Sequence, residues 1–226
     1  MTDVAMGGKG ERGVRLSGAF HRLLAFGGLI ALVVVFSLAS PNFLQTQNVL
    51  AILQATAVNG VLAIAATLVI ITGGIDLSVG TLMTFCAVIA GVLLTYLGLP
   101  MPVGIVGAIL AGTASGLISG TIIAKLKVPP FIATLGMMLI LKGLSLVISG
   151  TRPIYFNDTP GFNQIALGSL VGQIVPAVPV PNGVLILFLV AIVAAFVLSK
   201  TALGRYTFAL GSNEEAVRLS GVNVDR

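Results

Sequence analysis

Charge is scarce in this sequence. Aspartate, glutamate, lysine and arginine make up 8% of its 226 residues, whereas a soluble domain carries about a quarter. So few charges cannot cover a water-facing surface, which excludes an ordinary soluble domain. Tryptophan is absent and aromatic residues reach only 6%, so no stacking site can be read. The one cysteine, Cys86, lies in an apolar run; it can form no internal disulfide and says nothing about redox compartment. The one histidine, His21, stands beside Arg22 as an interfacial residue would, and a metal site needs three or four ligands. No Gly-x-x-x-x-Gly-Lys-Ser/Thr phosphate loop occurs; "GGKG" at Gly7–Gly10 lacks the spacing and the following helix. An intramembrane enzyme lacks its parts too, with no His-Glu-x-x-His, Ser/His pair or paired carboxylates. No metal, cofactor or nucleic-acid partner is expected.

What is present is apolar. Hydrophobic residues make up 57% of the chain and the mean hydropathy is +1.10. Six apolar segments stand out: Leu23–Ala39, Val49–Ile71, Val79–Leu97, Val103–Ala124, Phe131–Ser149 and Val184–Ser199. Each is about long enough to cross a hydrocarbon core near 30 Å at 1.5 Å per residue. Backbone groups in lipid must bond internally, so these are helices. The fold class expected is all-α: a polytopic integral membrane bundle of about six transmembrane helices. The first run ends in "SLAS", as a cleaved signal would. Its long charged tail and long apolar run point instead to a retained span.

Orientation follows from lysine and arginine. Lys9, Arg12, Arg15 and Arg22 precede span one, Lys125 and Lys127 separate spans four and five, and Lys200, Arg205, Arg218 and Arg226 follow span six. Six crossings put these ten of the twelve basic residues on one face, which the positive-inside rule makes cytoplasmic. The opposite face has only Arg152, and Lys142 falls within span five. Tyr96 and Tyr155 then lie near the outer interface and Tyr206 near the inner one. The expected organisation is a cytoplasmic tail (1–22), a transmembrane domain (23–199) with an outside loop (150–183), and a cytoplasmic segment (200–226). Repeated prolines in that outside loop make another full span unfavourable, with room for a short interfacial helix near Asn163–Leu170.

Two spans carry patterns. Span four has Gly104, Ala108, Gly112, Gly116 and Gly120 at every fourth position, a bare face for close helix approach within this subunit or between subunits. Span two carries Thr56, Asn59, Ala63 and Thr67 on one face, with Gln54 nearby. Uncompensated amides are costly in lipid, so this face must look into protein or water, as a pathway lining or an interhelical hydrogen-bond face.

The turn "TGGIDLSVG", Thr72–Gly80, joins spans two and three and contains Asp76, the sole acidic residue between Glu11 and Asp158. Gly73 and Gly74 suit left-handed residues that end a helix. Asp76 or Ser78 suits the N-cap of the next helix, where an anion also gains from the dipole. Gly80 completes the pattern. The rival reading of Asp76 is an ionisable relay, since a membrane carboxylate is a functional candidate by default. Further on, Ser212, Asn213, Glu214 and Glu215 fit a capping box with serine as N-cap. Glu214 and Arg218 are spaced to pair, and Gly221 fits a helix stop. The helix between is too short to stand in water alone. It must dock, through Ala216, Leu219 and Val217, on a partner or on the chain's own inner face.

"GGIDLSVG", "VPPFIATLGMMLILKGLSLVISGTRPI" from Val128 and "TALGRYTFALGSNEEAVRLSGVNVDR" from Thr201 together resemble the permease subunits of ribose-type ABC importers, over nearly the whole chain. The resemblance implies a plasma (inner) membrane subunit, not itself an enzyme, that carries a small solute, usually a sugar. It implies a second permease subunit, homo- or heterodimeric, a cytoplasmic ABC ATPase that docks on Ser212–Gly221, and an outside solute-binding protein. Arg152 is then a candidate contact for that binding protein, against simple contact with lipid headgroups. Family members continue with further spans, so a chain ending at Arg226 is expected to be C-terminally truncated. The alternatives are an ion-coupled secondary transporter using Asp76 and Lys142, and a membrane scaffold that transports nothing.

Overall fold

The structure, a computed structural model, describes residues 18–156 and 159–224. Lys9, Arg12, Arg15 and Arg226 lie outside the described residues, as do the side chains of His21 and Arg22. Two units are distinguished, Met1–Val49 and Leu50–Arg226.

In the first unit, α1 (Gly18–Ala39) ends in a turn where the Phe36 and Phe43 rings stack with centroids 5.6 Å apart. Gln45 Nε2 donates to Asn42 Oδ1 at 2.6 Å just before α2 (Thr46–Ile71) begins. The second unit holds most of α2, then α3 (Val79–Gly91), which runs on into a π-helical turn (Val92–Tyr96), α4 (Met101–Leu126) and α5 (Pro130–Ser149). Short α6 (Phe162–Leu167) and α7 (Leu170–Ile174) precede α8 (Asn182–Lys200), α9 (Ala202–Ser212) and α10 (Glu214–Leu219). Among the described residues there is no strand.

Among the described residues, five helices are long and apolar enough to cross a membrane: α2, α3 with its π turn, α4, α5 and α8. The first expected span appears as a shorter apolar stretch, Phe26–Ala39, within α1. The expectation of a polytopic helical bundle is therefore borne out.

The packed centre is α3 against α4 and α5. It closes because α4 offers glycine where its neighbours bring leucine. A Cβ at Gly104 would strike Leu94, one at Gly107 would strike Leu93, and one at Gly112 would lie 3.2 Å from Cys86 Sγ. The small-residue face thus packs within the subunit over half its length. Beyond it, Gly116 and Gly120 meet nothing within 4 Å, and the helices part around a cavity. Leu141 and Met137 of α5 are buried in this centre.

Between α5 and α8 the expected short helix resolves into two, broken at Gly168–Ser169. Asn182 holds both, accepting from Leu170 N at 2.8 Å and donating to Gln164 O at 3.1 Å. Three helices end alike. After α2, Gly73 N donates to Ile70 O and Gly74 N to Val69 O; after α5, Gly150 and Thr151 do the same to Val147 and Leu146; after α10, Gly221 and Val222 to Arg218 and Val217. Gly73, Gly150 and Gly221 each have φ between +62° and +82°, the left-handed residue this Schellman ending requires.

Candidate functional site

The Thr72–Gly80 turn is held from three directions. From behind, the Schellman ending of α2 fixes Gly73 (φ +80°). Gly74 does not adopt the left-handed conformation expected of it; it sits close to Val69, whose Cγ1 would lie 3.1 Å from a Cβ there. From within, Asp76 Oδ1 accepts from Ser78 N at 2.7 Å and Ser78 Oγ at 2.6 Å. This is an Asx-turn. Ser78 occupies the N-cap position of α3, but its hydroxyl bonds to Asp76 rather than to α3 amides. Asp76 therefore shapes the entry to α3 from two residues before its N-cap, where a carboxylate also complements the positive end of the helix dipole.

From the side, Thr134 of α5 is 3% exposed. Its Oγ1 accepts from Leu77 N at 3.2 Å and donates to Ile75 O at 3.1 Å. One hydroxyl thus satisfies a donor and an acceptor of the turn. Sequence reasoning missed Thr134; the only signal available was a hydroxyl one turn into an apolar helix, within a stretch already singled out by resemblance. A cavity of about 220 Å3 opens over the turn, bounded by Asp76, Ser78, Leu82, Ser115, Ser119 and Thr134. Ser115 and Ser119 are buried.

The turn and the 200–226 segment, two separate motifs in the sequence, come together. Gly211 of α9 lies so close to the end of α2 that a Cβ would run into the Ile71 carbonyl. A second cavity, about 410 Å3, is bounded by Thr72–Gly74, Lys127–Pro130, Leu210 and Glu214. A third, about 620 Å3, lies between α9, α10 and the chain after them, with Thr72, Tyr206, Leu210 and Val217 on its walls.

One expectation about α10 is corrected. Ser212 is the last residue of α9, not a cap. Asn213 is the N-cap of α10, and its Oδ1 accepts from Ala216 N at 2.9 Å. The reason is the Gly211 contact: α9 continues through Ser212 while pressed on α2, so the break falls one residue later. Glu215 is consequently in the first turn of α10 but not the third residue of a capping box. The Glu214–Arg218 pair forms, at 3.0 Å between exposed side chains, a link contributing about 0.3–0.5 kcal/mol. Val217 is 8% exposed and turns inward, whereas Leu219 is 84% exposed and Ala216 is also exposed.

Elsewhere the expected residues scatter. On α2, Thr56, Asn59 and Thr67 are all exposed, and Thr67 Oγ1 donates back to Ala63 O at 2.7 Å. Gln54 faces another way, into an apolar cavity of about 380 Å3 with Ala57, Val61, Met83 and Ile186. Arg152 is exposed at the far end of the unit from the turn, in the segment where Thr95 Oγ1 donates to Tyr155 O at 3.2 Å.

Long apolar helices, with short helices docked on the turn at one end, define a multi-pass membrane protein. The chain belongs to the family described as branched-chain amino acid transport system / permease component, whose family model matches residues 48–226. It is 39% identical over 203 residues to the ribose import permease protein of Escherichia coli (strain K12), covering 88% of this chain and 60% of that protein. It is 35% identical over 201 residues to the fructose import permease protein of Rhizobium meliloti, covering 88% and 55%. It is 30% identical over 216 residues to the L-arabinose ABC transporter permease protein of Azospirillum brasilense, covering 94% and 61%. The resemblance read from the motifs is borne out, and nothing in these relatives favours the ion-coupled alternative. The chain spans 55 to 61% of the length of these three relatives. No solved structure matches it.

Proposed function

We propose that this chain is the membrane-spanning permease subunit of an ATP-driven importer, forming part of the passage for a monosaccharide across the plasma (inner) membrane. It would work as one of two permease subunits, with ATP hydrolysis on a separate cytoplasmic subunit and solute delivered by an outside binding protein. The observation that carries the reading is the seating of α9 and α10 on the Thr72–Ser78 turn. A six-residue helix is held by Val217 on its own chain and offers Leu219 and Ala216 outward. So short a helix is marginal without a support, and an exposed leucine beside a paired Glu214–Arg218 suits a partner rather than solvent. A push on α10 would reach the turn through Gly211, and α5 through Thr134. The names of the relatives, all sugar permeases, favour a monosaccharide.

The test is reconstitution. The protein as it exists in its host membrane is purified with whatever ATPase accompanies it, and uptake of ribose, fructose and L-arabinose is measured in proteoliposomes with binding protein outside. Uptake that needs ATP inside and binding protein outside supports the reading. Uptake that persists without ATP, driven by an ion gradient, overturns it.

A further inference from the structure

The solute passage has no assigned wall. On α2, Thr67 already satisfies its hydroxyl on its own helix, and Gln54 points away from Thr56 and Asn59 into an apolar cavity. A different face carries a stronger demand for water. Lys142 lies on α5, a helix otherwise apolar enough to span, and it is exposed. It is twelve residues from Pro130 and seven from Ser149, about 18 Å and about 10 Å along the axis. Lysine near a helix end escapes hydrocarbon by stretching to the interface. Here that route runs the wrong way, because helical side chains lean toward the N-terminus, which for Lys142 is the more distant end. The ammonium group is thus held near mid-membrane, where a bare charge is costly unless it faces water or a polar partner.

The same face leads to a recess toward the Ser149 end, where a few polar groups stand among apolar ones. Residues 142, 146 and 149 share one stripe of α5. Leu146 and Ser149 bound a recess of about 270 Å3 between α3 and α5, together with Thr84 and Arg152. That volume is just below the range of drug-sized pockets, suited to a single sugar ring. Thr84 Oγ1 donates to Gly80 O at 3.2 Å and Ser149 Oγ to Leu146 O at 3.3 Å. Each hydroxyl proton is committed to its own helix, so the oxygens face the recess as acceptors, while Arg152 and Lys142 supply donors alone. Thr84, Ser149 and Arg152 stand on a wall otherwise made mostly of Ala87, Val88, Leu146, Pro153, Ile154 and Phe156, and a few polar groups on an apolar wall complement a sugar ring, whose C–H faces are apolar and whose rim carries hydroxyls.

We propose that the recess between α3 and α5 and the Lys142 stripe below it form the wall of the aqueous passage, with Thr84, Ser149, Arg152 and Lys142 as binding residues for a neutral polyhydroxylated solute. The proposal rests on the importer reading above and adds to it the place where solute touches this chain.

The experiment uses the complete importer in proteoliposomes, with Cys86→Ser removing the native thiol. Single cysteines are introduced as Lys142→Cys, Leu146→Cys and, on the opposite face of α5, Ile140→Cys. Each is exposed to a charged, membrane-impermeant methanethiosulfonate reagent. The thiolate is the reactive form and needs water to exist, so Lys142→Cys and Leu146→Cys should react about tenfold or more faster than Ile140→Cys. Ribose, fructose or L-arabinose supplied with binding protein should slow that reaction. Rates no faster than Ile140→Cys, in complexes that still hydrolyse ATP, overturn the passage. Fast labelling that none of the three sugars slows overturns the solute contact. If Lys142→Cys fails to assemble, Leu146→Cys decides the passage by the same comparison. Failure of the importer reading would look different: the unmodified complex would take up none of the sugars with ATP, whatever the labelling rates.

Discussion

Asp76 is held by a geometry that an amide can copy. Its Oδ1 accepts twice from Ser78, and the carbonyl oxygen of asparagine can do the same. Asp76→Asn should therefore keep most uptake and most thermal stability. Asp76→Leu leaves the Ser78 amide and hydroxyl without their acceptor, at a cost of roughly 1–3 kcal/mol, and should lower both. Complete loss in both variants at normal expression would assign an essential charge instead of a turn former. Thr134 makes a parallel case. Thr134→Val preserves shape but orphans Leu77 N–H and Ile75 C=O, again about 1–3 kcal/mol; Thr134→Ser keeps the hydroxyl. A thermal midpoint for Thr134→Ser as low as for Thr134→Val would mean that packing, not the double hydrogen bond, holds the turn.

At the level of elements, α10 buries Val217 and leaves Leu219 and Ala216 exposed, and substitutions should divide likewise. Leu219 is 84% exposed, so for Leu219→Asp stability should hold while co-purification of the ATPase falls about tenfold, roughly 1.4 kcal/mol. Gly211→Ala inserts a methyl group against the Ile71 carbonyl and should weaken the seating of α9, lowering uptake per ATP hydrolysed. Normal coupling in Gly211→Ala would remove the α9–α2 contact from the mechanism. The long membrane helices were legible because each is a run of apolar residues bounded by glycine, proline or charge, whereas α9 was not expected as a helix. Gly73 and Gly221 were legible as stops because only their backbone freedom suits such endings. What stayed hidden came from distance. Thr134 meets Leu77 across 57 residues, and the Asn213 cap is set by α9 lying on α2. No local pattern records either contact. The run Ser212-Asn213-Glu214-Glu215 allows two caps, and tertiary packing chose the second.

For the molecule as a whole, the charge asymmetry gains a geometric counterpart. The Lys127–Pro130 connection, the end of α2 and α9–α10 bound one cavity, while Arg152 and Tyr155 lie by the π turn at the other end. Cysteines placed as Asn163→Cys and Asn213→Cys in a Cys86→Ser background should react with impermeant reagents from opposite sides of the membrane. Reaction of both from one side would sink the topology and, with it, the assignment of α10 to the cytoplasmic face.

The internal bonding of the Thr72–Ser78 turn has a consequence for isotope exchange. The amides of Thr72, Gly73, Gly74, Leu77 and Ser78 all donate to acceptors within the chain. A connecting loop normally surrenders its amide hydrogens to deuterium quickly, since opening costs it little. This one should retain them as a helix does. In residue-resolved mass spectrometry of the deuterated protein, these five amides should exchange as slowly as those of the helical neighbours, and Thr134→Val should speed exchange at Leu77 before it does at Gly73.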